Sequence, residues 1–295
     1  MKGQAALAIH GGASAIRKLD YRRECSHLQA LVERARDDLS RGATALDVAT
    51  AVVSEMEASG LYVAGKGGSP NLAGDYELDA GLMDGKTRRG GAVAALQGFQ
   101  SPIQVARLVM ETTPHVLLVG EGAAAFARTC RAPEIDGDDW FTHAAGEEAN
   151  YAPGAQLRGT VGCAVLDRHG NLAAATSSAG VFDKMPGRVG DSPLIGAGVW
   201  ADDRVAISCT GQGELFILTA SAAQIAFLVR SGRDLRTAAE AVLSEIRSRG
   251  GEGGLVAVDH EGNVEMPYNA EGMKRAALTR DGEIRIAVFD ECVRS

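Results

Sequence analysis

The sequence predicts an α+β protein, with antiparallel strands at the core and helices layered over them. Two observations carry this. Candidate strands come as hairpins: 160–167 with 172–177 around Arg168-His169-Gly170-Asn171, and 255–259 with 264–268 around His260-Glu261-Gly262-Asn263. Candidate helices come in pairs between the hairpins, which favours antiparallel sheets over a doubly wound parallel sheet.

Taken in order, residues 5–9 are a short apolar run stopped by Gly11 and Gly12, the pattern of a buried strand. A polar helical pattern covers 24–39. Thr44, with Asp47 three residues on, resembles a capping box, and Ala45, Val48, Ala49, Val52, Val53 and Met56 follow at helical spacing. The glycine-rich stretch 60–74, with Pro70, reads as a loop. Residues 77–84 before Gly85 form one hairpin arm and 92–96 the return arm. Ser101 and Pro102 suit a helix N-cap and first helical position, and 116–119 reads as another short buried strand.

From about 132 to 158 periodicity fails, and Pro133, the acidic residues at 136–139, Pro153 and Gly154 mark an exposed linker. Strand patterning resumes at Thr160. The apolar run 205–209 leads through Thr210-Gly211-Gln212-Gly213 into a buried helix over about 214–229, and a second helix carries Leu235, Ala238, Ala239, Val242, Leu243 and Ile246. Both hairpin turns share the pattern Asp-x-x-Gly-Asn, which needs no more than a shared turn.

Composition excludes several functions. With a net charge of −8 and no long Lys/Arg run, the chain has no attraction for phosphate backbones, so nucleic acid is not expected as a partner. The longest apolar stretch is broken by Thr219, Ser221 and Gln224, short of the roughly 18 residues a membrane span needs. The apolar run near Met1 is too short for a signal peptide, so a cytoplasmic location is expected. Five scattered cysteines without CxxC spacing argue for reduced thiols over disulfides or zinc. An aromatic share of 5% implies a core of Ala, Val, Leu and Ile.

Three segments carry candidate chemistry: Gly159-Thr160-Val161-Gly162, Gly187-Arg188-Val189-Gly190-Asp191-Ser192-Pro193 and Thr210-Gly211-Gln212-Gly213-Glu214. A threonine opening a strand is ordinarily a β-branched residue in its preferred setting. To act as a nucleophile its hydroxyl needs a base, and a free α-amino group on the same residue, with a pKa of about 7.7 to 8.0, can serve. Nothing upstream of Thr160 resembles a removable leader, so that amine would come from cleavage between Gly159 and Thr160, where glycine tolerates the strain of an acyl shift. Arg188 and Asp191 would be a solvated loop pair in most settings. Among so many glycines they make a matched receptor for the α-carboxylate and α-ammonium of an amino acid. The strand-to-helix turn at Thr210-Gly211 can offer N–H donors to an oxyanion.

These three segments, in this order, resemble the plant-type (class 2) asparaginase and isoaspartyl peptidase family of N-terminal-nucleophile hydrolases. Ile9-His10-Gly11-Gly12-Ala13, Glu77-Leu78-Asp79-Ala80, Met83-Asp84-Gly85 and Thr113-Pro114-His115 match as well, so the resemblance spans the chain apart from the linker. It implies a four-layer αββα sandwich: a single hydrolase domain over 1–295, autocleaved into 1–159 and 160–295, and assembled as a homodimer of α/β heterodimers. The implied substrates are L-asparagine and β-aspartyl dipeptides. Thr160 matches the nucleophile and Ser178 a supporting residue, usually threonine. Arg188 and Asp191 match the groups that hold the aspartyl moiety, Thr210 and Gly211 the oxyanion hole, and Gly213 a backbone substrate contact.

No cofactor is required, although the 56–66 loop resembles one that wraps a structural sodium ion with backbone carbonyls. Val63 stands where relatives commonly carry Asn, which leaves a polar contact either missing or supplied by Ser69 or Asn71, and Ala179 replaces a usual glycine. The glycosylasparaginase and threonine-aspartase branches are rivals, but the Arg158-Gly159-Thr160 junction is more similar to the asparaginase branch. A non-catalytic amino-acid-binding protein would keep Arg188 and Asp191 without needing Thr160.

Overall fold

The computed structural model describes residues 5–137, 140–142, 159–290 and 292–293; most of the expected linker, 138–139 and 143–158, lies outside the described residues. The first half runs β1 (Ala6–His10), α1 (Arg22–Arg41), α2 (Ala45–Ser59), β2 (Leu78–Asp84), β3 (Arg89–Leu96), α3 (Pro102–Thr112), β4 (Leu117–Val119) and α4 (Gly120–Thr129). The second runs β5 (Val161–Leu166), β6 (Leu172–Ser178), β7 (Val199–Ala201), β8 (Val205–Gly211), α5 (Gly213–Leu218), α6 (Ser221–Arg230), α7 (Leu235–Ser248), β9 (Gly253–Asp259), β10 (Val264–Glu265), β11 (Arg275–Leu278), β12 (Ile284–Ala287) and β13 (Cys292–Val293).

Among the described residues these strands form two sheets, in the orders β13-β12-β11-β1-β5-β6-β2-β3-β4 and β10-β9-β8-β7. Every pairing is antiparallel except β3 with β4, which are parallel because α3 crosses between them.

Strand alternation sorts most of the core into three clusters, with a small fourth of Val63, Leu78 and Ala179 beside Gly159. Leu7, Ile9, Val161, Val165 and Leu82 point from the large sheet to α1, α2, α3 and α4, meeting Leu28, Val52, Ile103, Val109 and Ala123. Ala6, Ala8, Ala164, Ala174 and Leu172 point the other way, against Ala201, Ala206, Val256 and Val258 of the small sheet. Val205, Ile207, Cys209, Leu255 and Ala257 leave the far face of the small sheet for α6 and α7. Small side chains bring the sheets close: a β-carbon at Gly162 would lie 1.8 Å from Ser208 Oγ.

The Asp-x-x-Gly-Asn pattern is one turn used twice. Asp167 Oδ1 accepts the N–H groups of His169 and Asn171, as Asp259 Oδ1 accepts those of Glu261 and Asn263. Gly170 and Gly262 take the positive φ the turn requires.

Four expectations are corrected. Residues 116–119 are not buried: β4 is an edge strand with Leu117 and Val119 exposed. The helix expected over 214–229 is two, α5 and α6, broken where Ala220 adopts a left-handed conformation, and Leu218 and Phe227 are exposed. The return arm at 264–268 pairs only through Val264 and Glu265, with an isolated bridge at Tyr268, because Pro267 between them lacks an N–H. Ser101 does not cap α3 with its own side chain. Its hydroxyl donates to Glu57 Oε2 at 2.5 Å, and Glu57 Oε1 accepts the Ile103 N–H at 3.0 Å, so a carboxylate of α2 caps α3. The capping box of α2 forms as read, Thr44 Oγ1 accepting the Asp47 N–H.

Candidate active site

Thr160 stands just before β5, buried where β5, β6 and the end of β1 meet. Its hydroxyl donates to Ser178 Oγ at 3.3 Å. Ser178, the last residue of β6, donates in turn to the Gly159 carbonyl at 2.8 Å and accepts the Gly180 N–H at 2.8 Å. One hydroxyl thus joins Thr160 Oγ1 to the carbonyl of the Gly159–Thr160 bond.

That junction is tightly enclosed. A β-carbon at Gly159 would lie 2.3 Å from Val63 Cβ, so glycine is required there, and Gly12, whose φ of +98° favours glycine, packs against the Thr160 backbone. Val63 turns its methyl groups to Gly159, while its carbonyl accepts the Ala179 N–H at 3.0 Å. Asn71 Oδ1 accepts the N–H groups of Ala73 and Asp75 within its own loop, while its Nδ2 is buried and, among the described residues, has no partner. Ser69 is buried, and among the described residues its hydroxyl has no partner.

Behind Thr160 lies a polar chain that crosses between the sheets. His10 Nε2 is 2.9 Å from Ser208 Oγ, which is 2.7 Å from Thr176 Oγ1; that hydroxyl donates to the Gly198 carbonyl at 3.2 Å. Burial drives the His10 pKa down to about 3, against the opposing pull of the Thr160 backbone, so the imidazole is neutral near pH 7.

Arg188 lies in a glycine cradle. β-Carbons at Gly180, Gly190 and Gly213 would come within 3.2, 2.9 and 3.0 Å of its guanidinium nitrogens. Its bonded carboxylate is Glu214, whose Oε1 accepts from Nε at 2.9 Å and Nη2 at 2.8 Å. Arg188 and Asp191 instead converge on Gly213, where a β-carbon would also lie 2.9 Å from Asp191 Oδ1. Asp191 is buried, and desolvation pushes its pKa up to about 7; its own N–H and Arg188 oppose this, while Glu214 and Asp79 add to it.

Thr210 and Gly211 end β8, opposite Gly254 and Gly253 of β9. Gly211 has φ +147°, and a β-carbon there would lie 2.5 Å from Gly253 Cα, so no other residue fits. Thr210 Oγ1 accepts the Ala13 N–H at 3.4 Å, and through Gly12 and Ala13 it is tied to the Thr160 backbone. The cleft of about 680 Å³ lined by Arg17, Arg247, Tyr268 and Glu271 contains none of these residues. Among the described residues no group of three or more His, Cys, Asp and Glu side chains could hold a metal ion, and no helix is long and apolar enough to cross a membrane.

A family model described as Asparaginase matches residues 3–288. The chain belongs to that asparaginase family. An isoaspartyl peptidase of Salmonella typhimurium is 47% identical over 92% of this chain and 95% of its own length. A plant-type L-asparaginase of Pyrobaculum calidifontis is 41% identical over 95% and 98% of the two chains, and a human isoaspartyl peptidase/L-asparaginase 38% over 96% and 95%. In this member of the asparaginase family, Thr160, Ser178 and Gly159 form one contact set, and Arg188, Asp191 and Gly213 another. Gly180 joins them, bonded to Ser178 and packed on Arg188.

Sequence reasoning missed Ser208, Thr176, Glu77, Asp79 and Lys184, and assigned no role to His10. His10, Glu77 and Asp79 lie in segments that carry the family resemblance, and Lys184 lies in the glycine-rich stretch 180–198. Ser208 carried no signal, sitting in an apolar run that reads as plain strand.

Proposed function

We propose that the chain is a self-processing threonine amidohydrolase that converts L-asparagine to aspartate and ammonia and cleaves β-aspartyl dipeptides. The observation that carries it is the Thr160–Ser178–Gly159 contact set within a chain of the asparaginase family. In processing, Thr160 Oγ1 attacks the Gly159 carbonyl carbon. Ser178 accepts the hydroxyl proton while its own hydrogen is held by the developing oxyanion, and the proton is passed on to the Thr160 nitrogen as that nitrogen departs. The C–N bond to Thr160 breaks, leaving an ester that water hydrolyses to a Gly159 carboxylate and a free Thr160 amine.

In turnover that amine takes the Thr160 hydroxyl proton, and the oxygen attacks the substrate's side-chain carbonyl. Thr210 and the Gly211 N–H hold the oxyanion, ammonia or an amino acid leaves with the proton, and water hydrolyses the β-aspartyl ester. Arg188 binds the α-carboxylate and Asp191 the α-ammonium, with the Gly213 backbone beside them, which their convergence on Gly213 supports. Arg188 must turn part of its fork from Glu214 to the substrate, which its partly exposed side chain allows.

The packing of α1–α4, two sheets, and α6 with α7 supports a four-layer αββα arrangement over one domain. Backbone oxygens of Gly60 and Tyr62 lie beside Gly67 in the loop that resembles a sodium-wrapping one, and carbonyls are the hard oxygen donors such an ion takes. Bound there, the ion would brace the loop that carries Val63, with no part in the chemistry; removing sodium should then alter thermal stability. A homodimer of cleaved heterodimers and a cytoplasmic location complete the reading, checkable by light scattering and cell fractionation.

The deciding experiment measures ammonia released from L-asparagine and free amino acid released from a β-aspartyl dipeptide. The purified chain should turn over both, and Thr160→Ala neither. Turnover by Thr160→Ala would overturn the nucleophile.

A further inference from the structure

Behind Arg188 lies a fully enclosed lysine that the reaction does not use. The Lys184 ammonium donates to the Glu77 carbonyl oxygen at 2.8 Å and is 3.8 Å from Glu77 Oε2. Glu77 Oε1 accepts the Gly187 N–H at 2.9 Å, so one residue grips the 180–191 loop at two points, the second directly before Arg188. The Lys184 carbonyl also accepts the Leu72 N–H at 2.9 Å, tying the loop to 71–75.

Glu77 immediately precedes β2, and β2 carries buried Asp79 opposite Ser178. Asp79 Oδ1 accepts the Ala95 N–H at 2.8 Å. Burial raises the Asp79 pKa, and Lys184 is the foremost influence opposing that rise, ahead of Arg188. A β-carbon at Gly180 would lie 3.4 Å from Lys184 Nζ and 3.2 Å from Arg188 Nη1. Two cations therefore flank Gly180, whose N–H donates to Ser178.

Four carboxylates surround these two cations: Glu77 and Asp79 on the inner side, Asp191 and Glu214 on the outer. An uncompensated buried carboxylate is costly and draws the nearest cation. Without Lys184 that cation is Arg188, pulled inward from Gly213. We propose that Lys184 is a positioning residue for amino-acid recognition: it neutralises Glu77 and Asp79 and anchors the 180–191 loop, so that Arg188 stays turned toward Gly213 and Asp191. This rests on the proposed role of Arg188 and Asp191 as the receptor for the α-carboxylate and α-ammonium.

The test compares Lys184→Met, Lys184→Gln, Lys184→Met combined with Asp79→Asn, and Arg188→Ala as self-processed enzymes on L-asparagine. Lys184→Met should raise KM roughly tenfold or more, the effect of weakening one charged hydrogen bond, with kcat within about threefold of wild type. Adding Asp79→Asn removes one of the two carboxylates left uncompensated and should recover part of that KM. A lysine with only a structural role would lower the melting temperature in both variants and leave KM alone. Lys184→Gln, which can still donate to the Glu77 carbonyl, repeats the comparison if the methionine variant fails to fold. A KM within twofold of wild type in a folded Lys184 variant, while Arg188→Ala raises KM, overturns this proposal alone. An unchanged KM in Arg188→Ala overturns the recognition site itself.

Discussion

At the scale of single residues, the least ordinary group is Asp191, a carboxyl held near pKa 7 by burial beside a guanidinium. If it binds an α-ammonium it must be ionised, and the Thr160 amine, with an ordinary pKa of about 7.7 to 8.0, must be neutral to act as a base. Both requirements run in the same direction. Catalytic efficiency on precleaved enzyme should rise with pH, with a logarithmic slope approaching two below about pH 7 and one between there and the amine pKa. Asp191→Asn should lose at least about tenfold in efficiency and flatten the lower limb. Profiles of kcat/KM from pH 5 to 9 check this, and an unchanged lower limb in the variant would remove Asp191 from recognition. Thr160, Arg188, Asp191, Thr210 and Gly213 could be picked out as candidates because each lies in a contiguous motif, and Ser178 only through the family resemblance. His10–Ser208 and Lys184–Glu77 were not, because each is a contact between segments far apart in sequence, and pattern reading along a chain does not register such pairs. The Val63 substitution was legible, but its consequence, a methyl wall against Gly159, required the fold.

At the scale of elements, local chemistry was readable wherever it stayed local. The Thr44 and Asp47 box of α2 needed only neighbouring residues, whereas α3 borrows its cap from Glu57, more than forty residues upstream. The turn between α5 and α6 was invisible for the opposite reason: nothing in Thr219-Ala220-Ser221 forbids helix, and Ala220 is left-handed through its surroundings. Strands β11 and β12, four residues each, were too short to show a period. The Glu57 cap has a pH signature. Burial raises its pKa to about 7, against the hydrogen bonds from Ser101 and Ile103. Between the ordinary glutamate pKa and about 7 the folded chain therefore binds more protons than the unfolded one, so this site's stability is full at low pH and lost as pH rises through that window. Glu57→Gln keeps an acceptor for Ile103 and cannot ionise. It should match wild type near pH 5 and exceed it by up to about 3 kcal/mol near pH 8. Urea unfolding at both pH values, in a Thr160→Ala background so that one chain unfolds, measures the difference; a gap independent of pH would mean that Glu57 does not carry this proton.

At the scale of the whole molecule, the hairpins could be read from sequence but the order in which they enter the sheet could not. Pairings between β1, β5 and β11 depend on which alanine faces meet, and many alanine-rich strands would serve. That order makes the two halves of the chain inseparable while folded. β1 lies between β11 and β5, and β2 lies between β6 and β3, so segments from either side of Gly159 alternate across the large sheet. Cleavage before Thr160 would therefore cut no ladder and release no subunit. Mature protein should run on a denaturing gel as a fragment of 159 residues and, the chain having 295, one of 136, with Thr160 as the new amino terminus. Under native conditions the fragments should stay together, held by the β1–β5, β1–β11 and β2–β6 ladders. Thr160→Ala should remain a single chain under both conditions. Thr160→Ser, which keeps the hydroxyl facing Ser178 and Gly159, should cleave more slowly than wild type. Ser178→Ala should slow processing as well, by on the order of a hundredfold for one lost oxyanion donor, because its hydroxyl both accepts from Thr160 and donates to the Gly159 carbonyl. Gel time courses with amino-terminal sequencing read every arm, and an active enzyme that stayed intact would sink the self-cleavage mechanism while leaving the fold untouched.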